Sequence, residues 1–146
     1  KIVIYVLCLS VLFSQFSIAE EKFLFLKKNK VNVRYGPSFD SKIKYIYKKI
    51  NLPIKQIDQK ENFRRIVDLK NNSGWIHVSQ VKKSNSIIIL EDKILYKKPS
   101  NFSKPIAKLE KGRLLVLKKC ENIWCNVKTD DYSGWVKTEN IWGSIK

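Results

Sequence analysis

The chain has 146 residues, which is enough for one ordinary domain or for two very small ones. Its 29 basic and 13 acidic residues give a net charge of +16, so anionic surfaces are compatible partners, but only four of the basic residues are arginines, whose planar side chains suit specific phosphate recognition. Its five glycines are isolated, which excludes a glycine-rich nucleotide-binding loop.

Residues 1–19 form an apolar stretch that follows a basic first residue and contains no acidic residue. Ser17 and Ala19 supply the small side chains that a signal peptidase needs, so we expect a secretory signal peptide, residues 1–19. The alternative is an uncleaved membrane anchor, which needs about 20 apolar residues and would here be interrupted by Ser10 and Ser14. We therefore expect a periplasmic or secreted protein that meets a membrane only through this segment before cleavage.

The rest of the chain contains two copies of one pattern. Each copy opens with an apolar run of strand length, Phe23–Leu26 or Ile87–Leu90, and continues with an alternating strand and a turn that contains proline. Each copy later carries the sequence Ser-Gly-Trp followed by an aliphatic residue, at residues 73–76 and 133–136. A shared motif at the same place in both halves indicates a tandem repeat.

Short runs of β-branched and aromatic residues, bounded by Gly, Pro, Asn and Asp, fill both copies, and no helical periodicity is sustained over three turns. The fold class is therefore predicted to be all-β. About five strands in roughly 60 residues predict a small, strongly bent barrel in each copy. We place the first domain at residues 20–82 and the second at residues 83–146, with a polar connector near residues 82–85, and expect the two to pack together.

Cys120 and Cys125 are the two cysteines that follow the predicted signal peptide. In an exported chain such a pair is expected to form one disulfide. The alternative is a pair of free or metal-binding thiols, but a zinc site needs four ligands and the single histidine, His77, lies in the other copy. We predict a Cys120–Cys125 disulfide, no metal and no cofactor.

The first copy resembles the bacterial SH3-like (SH3b) domain in the segments KVNVRYGPSFDSKIKYIY, NLPIKQI, NFRRIVD and GWIHVSQV. The second copy resembles the divergent second domain of a tandem SH3b family of exported proteins, mainly from α-proteobacteria; it lacks the Asn-x-Arg and the following glycine of the first copy. The resemblance implies two tandem small SH3-like barrels after the signal peptide. It also implies a noncatalytic role in binding peptidoglycan or peptide.

SH3-like domains hold peptides between aromatic side chains beside the loop that here follows Arg34. By this resemblance we predict a groove lined by three aromatic side chains and a histidine and edged by an arginine and an aspartate: Tyr35, Tyr47, Trp75 and His77, with Arg34 and Asp40. Indole and phenol rings stack well on sugar faces and peptide planes. The alternative is that these aromatic residues only cover a small core.

The sequence predicts a monomeric binding module and no enzyme, because no motif pairs a nucleophile with a base or two carboxylates as in a glycosidase. We expect the partner to be peptidoglycan, a wall peptide or a protein segment of the cell envelope. Nucleic acid is not expected, because the protein is predicted to be exported. The alternatives are a structural scaffold without a small ligand and a basic protein that binds polyanions nonspecifically.

Overall fold

The computed structural model describes residues 20–83 and 85–145, and the predicted signal peptide lies outside them. Two seven-stranded β-sheets account for the fold, which confirms the all-β prediction and the prediction of two tandem barrels. Within the two described ranges no helix is long and apolar enough to cross a membrane.

The first sheet is formed by seven short strands. They are β1 (Lys22–Leu26), β2 (Val31–Arg34), β3 (Ile43–Tyr47), β4 (Pro53–Lys60), β5 (Phe63–Val67), β6 (Ser73–His77) and β7 (Val81–Lys83). A 3₁₀ turn, Val78–Gln80, joins β6 to β7. The spatial order is β3-β2-β6-β5-β4-β1-β7, and neighbouring strands are antiparallel.

The second sheet repeats this arrangement strand for strand. Its strands are β8 (Ser86–Ile89), β9 (Lys93–Tyr96), β10 (Pro105–Leu109), β11 (Leu114–Glu121), β12 (Trp124–Thr129), β13 (Tyr132–Lys137) and β14 (Ile141–Gly143). The spatial order is β10-β9-β13-β12-β11-β8-β14. Each strand number is seven higher than that of the strand at the same place in the first sheet. The sequence repeat is therefore a repeat of topology.

Each sheet curls around its own core, because alternate side chains of its strands point to the concave side. In β2 the buried residues are Val31 and Val33, and in β6 they are Gly74 and Ile76. The first core consists of Leu24, Leu26, Val31, Val33, Ile54, Ile66 and Ile76. The second consists of Ile87, Ile89, Leu95, Leu109, Leu115, Cys125, Val127 and Val136. Burial of each such aliphatic side chain contributes about 1.5–3 kcal/mol.

The glycine of each Ser-Gly-Trp motif lies where the sheet closes on itself. β2 meets β6 at Arg34 and Trp75, and a Cβ atom added to Gly74 would lie 2.3 Å from Cγ1 of Val33. In the second sheet a Cβ on Gly134 would lie 2.6 Å from the carbonyl oxygen of Tyr96. Both positions need glycine because atoms of the neighbouring strand, β2 or β9, occupy the space that a Cβ atom would fill.

The two sheets are in direct contact. The indole N–H of Trp142 donates to the carbonyl oxygen of Pro53 at 2.9 Å, and its ring meets Phe23 edge-on with centroids 5.1 Å apart. The Ser86 hydroxyl donates to the carbonyl oxygen of Asn51.

The strand β7 extends to residue 83, so part of the predicted polar connector pairs with β1. The division of the domains between residues 82 and 83 stays a prediction.

Candidate functional site

Arg34, the last residue of β2, holds the loop that follows it. Its Nη1 donates to the carbonyl oxygens of Phe39 at 3.0 Å and Ser41 at 2.9 Å, and its guanidinium carbon lies 5.5 Å from the centroid of the Phe39 ring. These bonds use Nη1 and leave the N–H groups of Nε and Nη2 for other acceptors. Arg34 therefore both shapes the loop and offers a fixed positive group beside it.

Phe39 of this loop packs in edge-to-face and tilted contacts with two rings of the neighbouring strands, Phe63 and His77. Phe39 lies 5.2 Å from Phe63 and 4.8 Å from His77, and Phe63 lies 5.1 Å from His77, all between ring centroids. Phe63 is directly opposite His77 in the pairing of β5 with β6. Phe63 is buried, whereas Phe39 is 64% exposed. The cluster is therefore an exposed aromatic platform supported by a buried one.

The imidazole of His77 is fixed by the 3₁₀ turn. Its Nδ1 accepts the backbone N–H of Ser79 at 3.2 Å and lies 2.8 Å from the Ser79 hydroxyl. Because Nδ1 accepts this N–H, the neutral ring carries its proton on Nε2. His77 is thus a positioned hydrogen-bond donor at the edge of the platform.

A cavity of about 320 Å³ opens between the loop and the 3₁₀ turn. Its lining combines two cations, two amides and two rings: Lys30, Arg34, Asn32, Gln80, Phe39 and His77. The lining given by the described residues contains no carboxylate, so the cavity is positive. It suits a carboxylate or a carbonyl oxygen that lies beside a flat or apolar group.

A second cavity, of about 290 Å³, lies on the other side of Arg34. The strand pairing places Trp75 opposite both Arg34 and Arg65, and all three residues line this cavity. Tyr35 lies beside them, with Lys44 Nζ 5.6 Å from its ring centroid. The two cavities share Arg34 and form one cationic, aromatic surface.

Residues 27–83 and 92–143 match the bacterial SH3 domain family, one match on each sheet. The chain belongs to this family. NlpC2 from Trichomonas vaginalis is a similar solved structure, at 11% identity and a TM-score of 0.39 over 86% of this chain and 49% of that one. NlpC1 from the same organism gives 10% identity and a TM-score of 0.39 over 88% of this chain and 48% of that one. The chain spans about half the length of these structures. No curated protein matches it.

The predicted groove is divided in the first SH3 domain. Arg34, Tyr35 and Trp75 line one cavity, and Arg34 and His77 line the other. Asp40 follows the Phe39 platform, and its backbone N–H donates to Ser38 Oγ at 3.1 Å; it lines neither cavity. The ligand-binding role of these residues stays a prediction.

Tyr47 lies apart from both cavities. It packs against the first core, and its hydroxyl donates to Asp68 at 2.9 Å and lies 3.2 Å from the hydroxyl of Tyr45. Burial raises the pKa of the Tyr47 phenol above its usual range, so the hydroxyl stays protonated and keeps donating. The structure gives Tyr47 a contact within the domain and does not bring it to the groove.

Sequence reasoning missed the supporting role of Phe63 and the amides of Asn32 and Gln80. A signal for Phe63 was present, because β5 and β6 are joined by the short loop 68–72 and pair as antiparallel neighbours, and their register sets Phe63 opposite His77. No comparable signal identifies Gln80, which lies in the 3₁₀ turn Val78–Gln80 between β6 and β7.

The second SH3 domain has a smaller cavity, of about 160 Å³, at the equivalent place. Tyr96 stands at the position of Arg34 and Lys137 at the position of His77. Lys137 Nζ lies 5.8 Å from the ring centroid of Trp124, the counterpart of Phe63. The lining of this cavity also carries three carboxylates, Glu91, Asp92 and Glu139, against two lysines, Lys93 and Lys137, so the second groove differs in charge from the first.

The predicted disulfide joins Cys120 and Cys125, whose Cα atoms are 4.0 Å apart. The two residues lie directly opposite each other in the pairing of β11 with β12, and Cys125 is buried in the second core. Neither sulfur is a free thiol, and the disulfide links the two strands of the β11–β12 hairpin. Across residues 20–83 and 85–145, no three His, Cys, Asp or Glu side chains are grouped as a metal ion would require.

Proposed function

We propose that the protein is a noncatalytic binding module of the bacterial cell envelope, periplasmic or secreted and monomeric, which recognises peptidoglycan, a wall-derived peptide or an envelope protein segment. The observation that carries the proposal is the surface around Arg34, where a fixed guanidinium stands between the Trp75 indole and the Phe39–His77 platform. Membership of a family of binding domains supports it. The disulfide supports an oxidising compartment.

The surface matches the chemistry of a wall peptide, which offers carboxylates, peptide planes and small apolar side chains. Arg34 is held by the carbonyl oxygens of its own loop, so little side-chain entropy is lost when its free N–H groups bind a carboxylate. Trp75 and Phe39 present rings on which a peptide plane or a sugar face can stack. Arg34 would therefore bind the carboxylate of the ligand, and the rings of Trp75 and Phe39 would contact its apolar or flat groups.

Two observations support a noncatalytic role. Cys120 and Cys125 are bonded to each other and present no thiolate. His77 directs Nδ1 to Ser79 and packs on two phenylalanine rings, an arrangement that fixes the imidazole as part of a surface.

The test is a pulldown with purified peptidoglycan sacculi at about 0.15 M salt, where charge screening acts over about 8 Å. Replacing both platform rings, Phe39→Ala with Trp75→Ala, should weaken binding by at least about 10-fold, since aromatic anchors in an interface typically carry about 2 kcal/mol each. The matched control removes two exposed rings of the second domain, Phe102→Ala with Tyr132→Ala.

The control variant should bind as the unaltered protein does. Equal binding by both variants would exclude this surface as the site. Failure of the unaltered protein to bind sacculi would refute the wall ligand. Binding that disappears for all proteins alike when salt is doubled would instead indicate nonspecific attraction of a basic protein.

A further inference from the structure

A wider cleft, of about 660 Å³, lies where the two SH3 domains meet. One wall is the turn between β3 and β4, residues 48–51 of the first domain. The other wall is formed by the turn before β11 and the end of β12 in the second domain. The cleft shares no lining residue with the two cavities around Arg34. It exists only because two domains are present.

The lining of this junction cleft is strongly basic. Its cations are Lys48, Lys49, Lys111, Arg113 and Lys128, against the carboxylates of Glu110 and Asp130. Asp130 is already bonded to Arg113 Nη1 at 2.9 Å. Among the ion pairs formed within residues 20–83 and 85–145, none includes the four lysines of the cleft. The cleft therefore focuses an uncompensated positive field.

The walls of the junction cleft are held at a fixed separation. The Ser86 hydroxyl bonds the carbonyl oxygen of Asn51, a residue of the cleft wall, and so ties β8 to the β3–β4 turn. A second bond lies close by: Trp142 of β14, which pairs with β8, donates its indole N–H to the carbonyl oxygen of Pro53 at the start of β4. A cleft that is already formed does not need to be assembled when a ligand arrives.

We propose that the junction cleft binds a soluble, flexible chain that carries phosphate groups. The four lysines are compact charges on flexible stems, which bind phosphate oxygens as point charges in many orientations, and Nη1 of the single arginine, Arg113, already bonds Asp130. The cations stand on two facing walls, so a chain can enter between them, and a flat bilayer cannot touch both walls. This site is separate from the surface around Arg34 and does not depend on a ligand bound there.

The test measures binding of inorganic polyphosphate of about 15 units at about 0.15 M salt. The cleft variant replaces its four lysines by glutamine: Lys48→Gln, Lys49→Gln, Lys111→Gln and Lys128→Gln. The matched control removes the same charge from exposed lysines outside the cleft: Lys60→Gln, Lys97→Gln, Lys98→Gln and Lys104→Gln. Both variants have the same net charge, so they differ only in where the charge is lost. Circular dichroism and thermal unfolding verify that both are folded.

We expect the Kd of polyphosphate to rise by at least about 10-fold in the cleft variant and by less than about 3-fold in the control, with a weaker salt dependence in the cleft variant. An equal loss in both variants, or no binding by the unaltered protein, would overturn the proposal. So would binding to phosphatidylglycerol vesicles that is tighter than binding to polyphosphate and equally sensitive to the cleft lysines.

The two sites can be separated by their variants. The cleft variant should still bind sacculi if the site around Arg34 does so, and the Phe39→Ala/Trp75→Ala variant should still bind polyphosphate. Loss of polyphosphate binding in the platform variant would place the anion site at Arg34 and refute the junction cleft.

Discussion

Replacement of Gly74 by alanine is the most direct test of how the first domain closes. The new Cβ would lie 2.3 Å from Val33 Cγ1 and 3.0 Å from the carbonyl oxygen of Arg34. Carbon atoms in contact normally stand about 3.5–4.0 Å apart, so the first distance is too short by more than about 1 Å. Val33 is fully buried, and because it is β-branched its χ1 rotation is restricted. β2 must therefore move away from β6.

The magnitude follows from two opposing effects. Overpacking of a filled core costs about 1–3 kcal/mol. Alanine in place of glycine restricts the unfolded chain and returns about 0.4–1 kcal/mol where the backbone allows it, and Gly74 is not among the residues with positive φ. The steric effect is larger, so the free energy of unfolding should fall by about 1–2 kcal/mol. Because β2 carries Arg34 and β6 carries Trp75, sacculus binding should also weaken.

The assay is urea unfolding combined with hydrogen exchange of the β2 and β6 amides, which reports on the first domain alone. Ser73→Ala is the control on the same strand, since it adds no atom next to β2. The decisive comparison is Val33→Ala/Gly74→Ala, because Val33→Ala removes the clashing methyl group. The double variant should be more stable than the sum of the single changes predicts, by about 0.5 kcal/mol or more. Additive effects would refute the steric explanation.

Three further outcomes are expected. Replacement of Cys120 and Cys125 by serine should lower the free energy of unfolding by about 2 kcal/mol in urea unfolding, because the unfolded chain regains the entropy that closure of a loop of this length removes, and sacculus binding should stay unchanged. Tyr47→Phe removes the hydrogen bond to Asp68 and should cost about 1 kcal/mol in the same assay while sacculus binding persists; loss of binding with full stability would return Tyr47 to the ligand site. The pKa of the Asp92 carboxyl lies below its usual value of 3.8 because a backbone N–H from the turn after β10 donates to it, so its contribution to stability is complete above that value and is lost as the pH falls through the lower, folded pKa. Asp92→Asn should flatten the fall of the melting temperature between about pH 5 and pH 2, and an unchanged profile would contradict this.

The repeat, the strands and the disulfide could be predicted because each depends on local signals. Alternation of apolar residues marks a strand, and turn residues mark its ends. A shared Ser-Gly-Trp in both copies implies a shared place in the fold, and Gly74 and Gly134 both lie tightly against the neighbouring strand. Cys120 and Cys125 flank a tight hairpin, where opposite residues are necessarily close.

The position of Tyr47 could not be predicted in the same way. Spacing shows that Tyr45 and Tyr47 share one face of β3, but it does not show whether that face is the outer or the inner one. The answer comes from the partner strand: Tyr47 lies opposite Val31, and Val31 points into the core. Residues directly opposite each other point to the same side of a sheet, so Tyr47 is turned inward. Register between strands decides the face, and the tyrosines of this strand carry no signal for register.

The junction cleft was beyond prediction for a different reason. A sequence repeat describes what the two domains have in common, whereas the cleft depends on how one copy is placed against the other. That placement is set by Trp142 and Ser86, single residues of the second copy whose partners are main-chain carbonyl groups of the first. A carbonyl group is present at every residue, so the sequence gives no indication of which one is bound.

The two domains share one topology, so their grooves differ only in the side chains that line them. Phe39 gives the first domain an exposed platform, and Asn101 occupies its place in the second, where the fully exposed Phe102 comes one residue later in the loop. Lys137 over Trp124 takes the place of His77 beside Phe63, and three carboxylates, Glu91, Asp92 and Glu139, line the second groove, so it lacks the exposed Phe39 ring and the net positive charge of the first. The second domain supplies one wall of the junction cleft, and a single copy of the fold would have neither that wall nor the cleft.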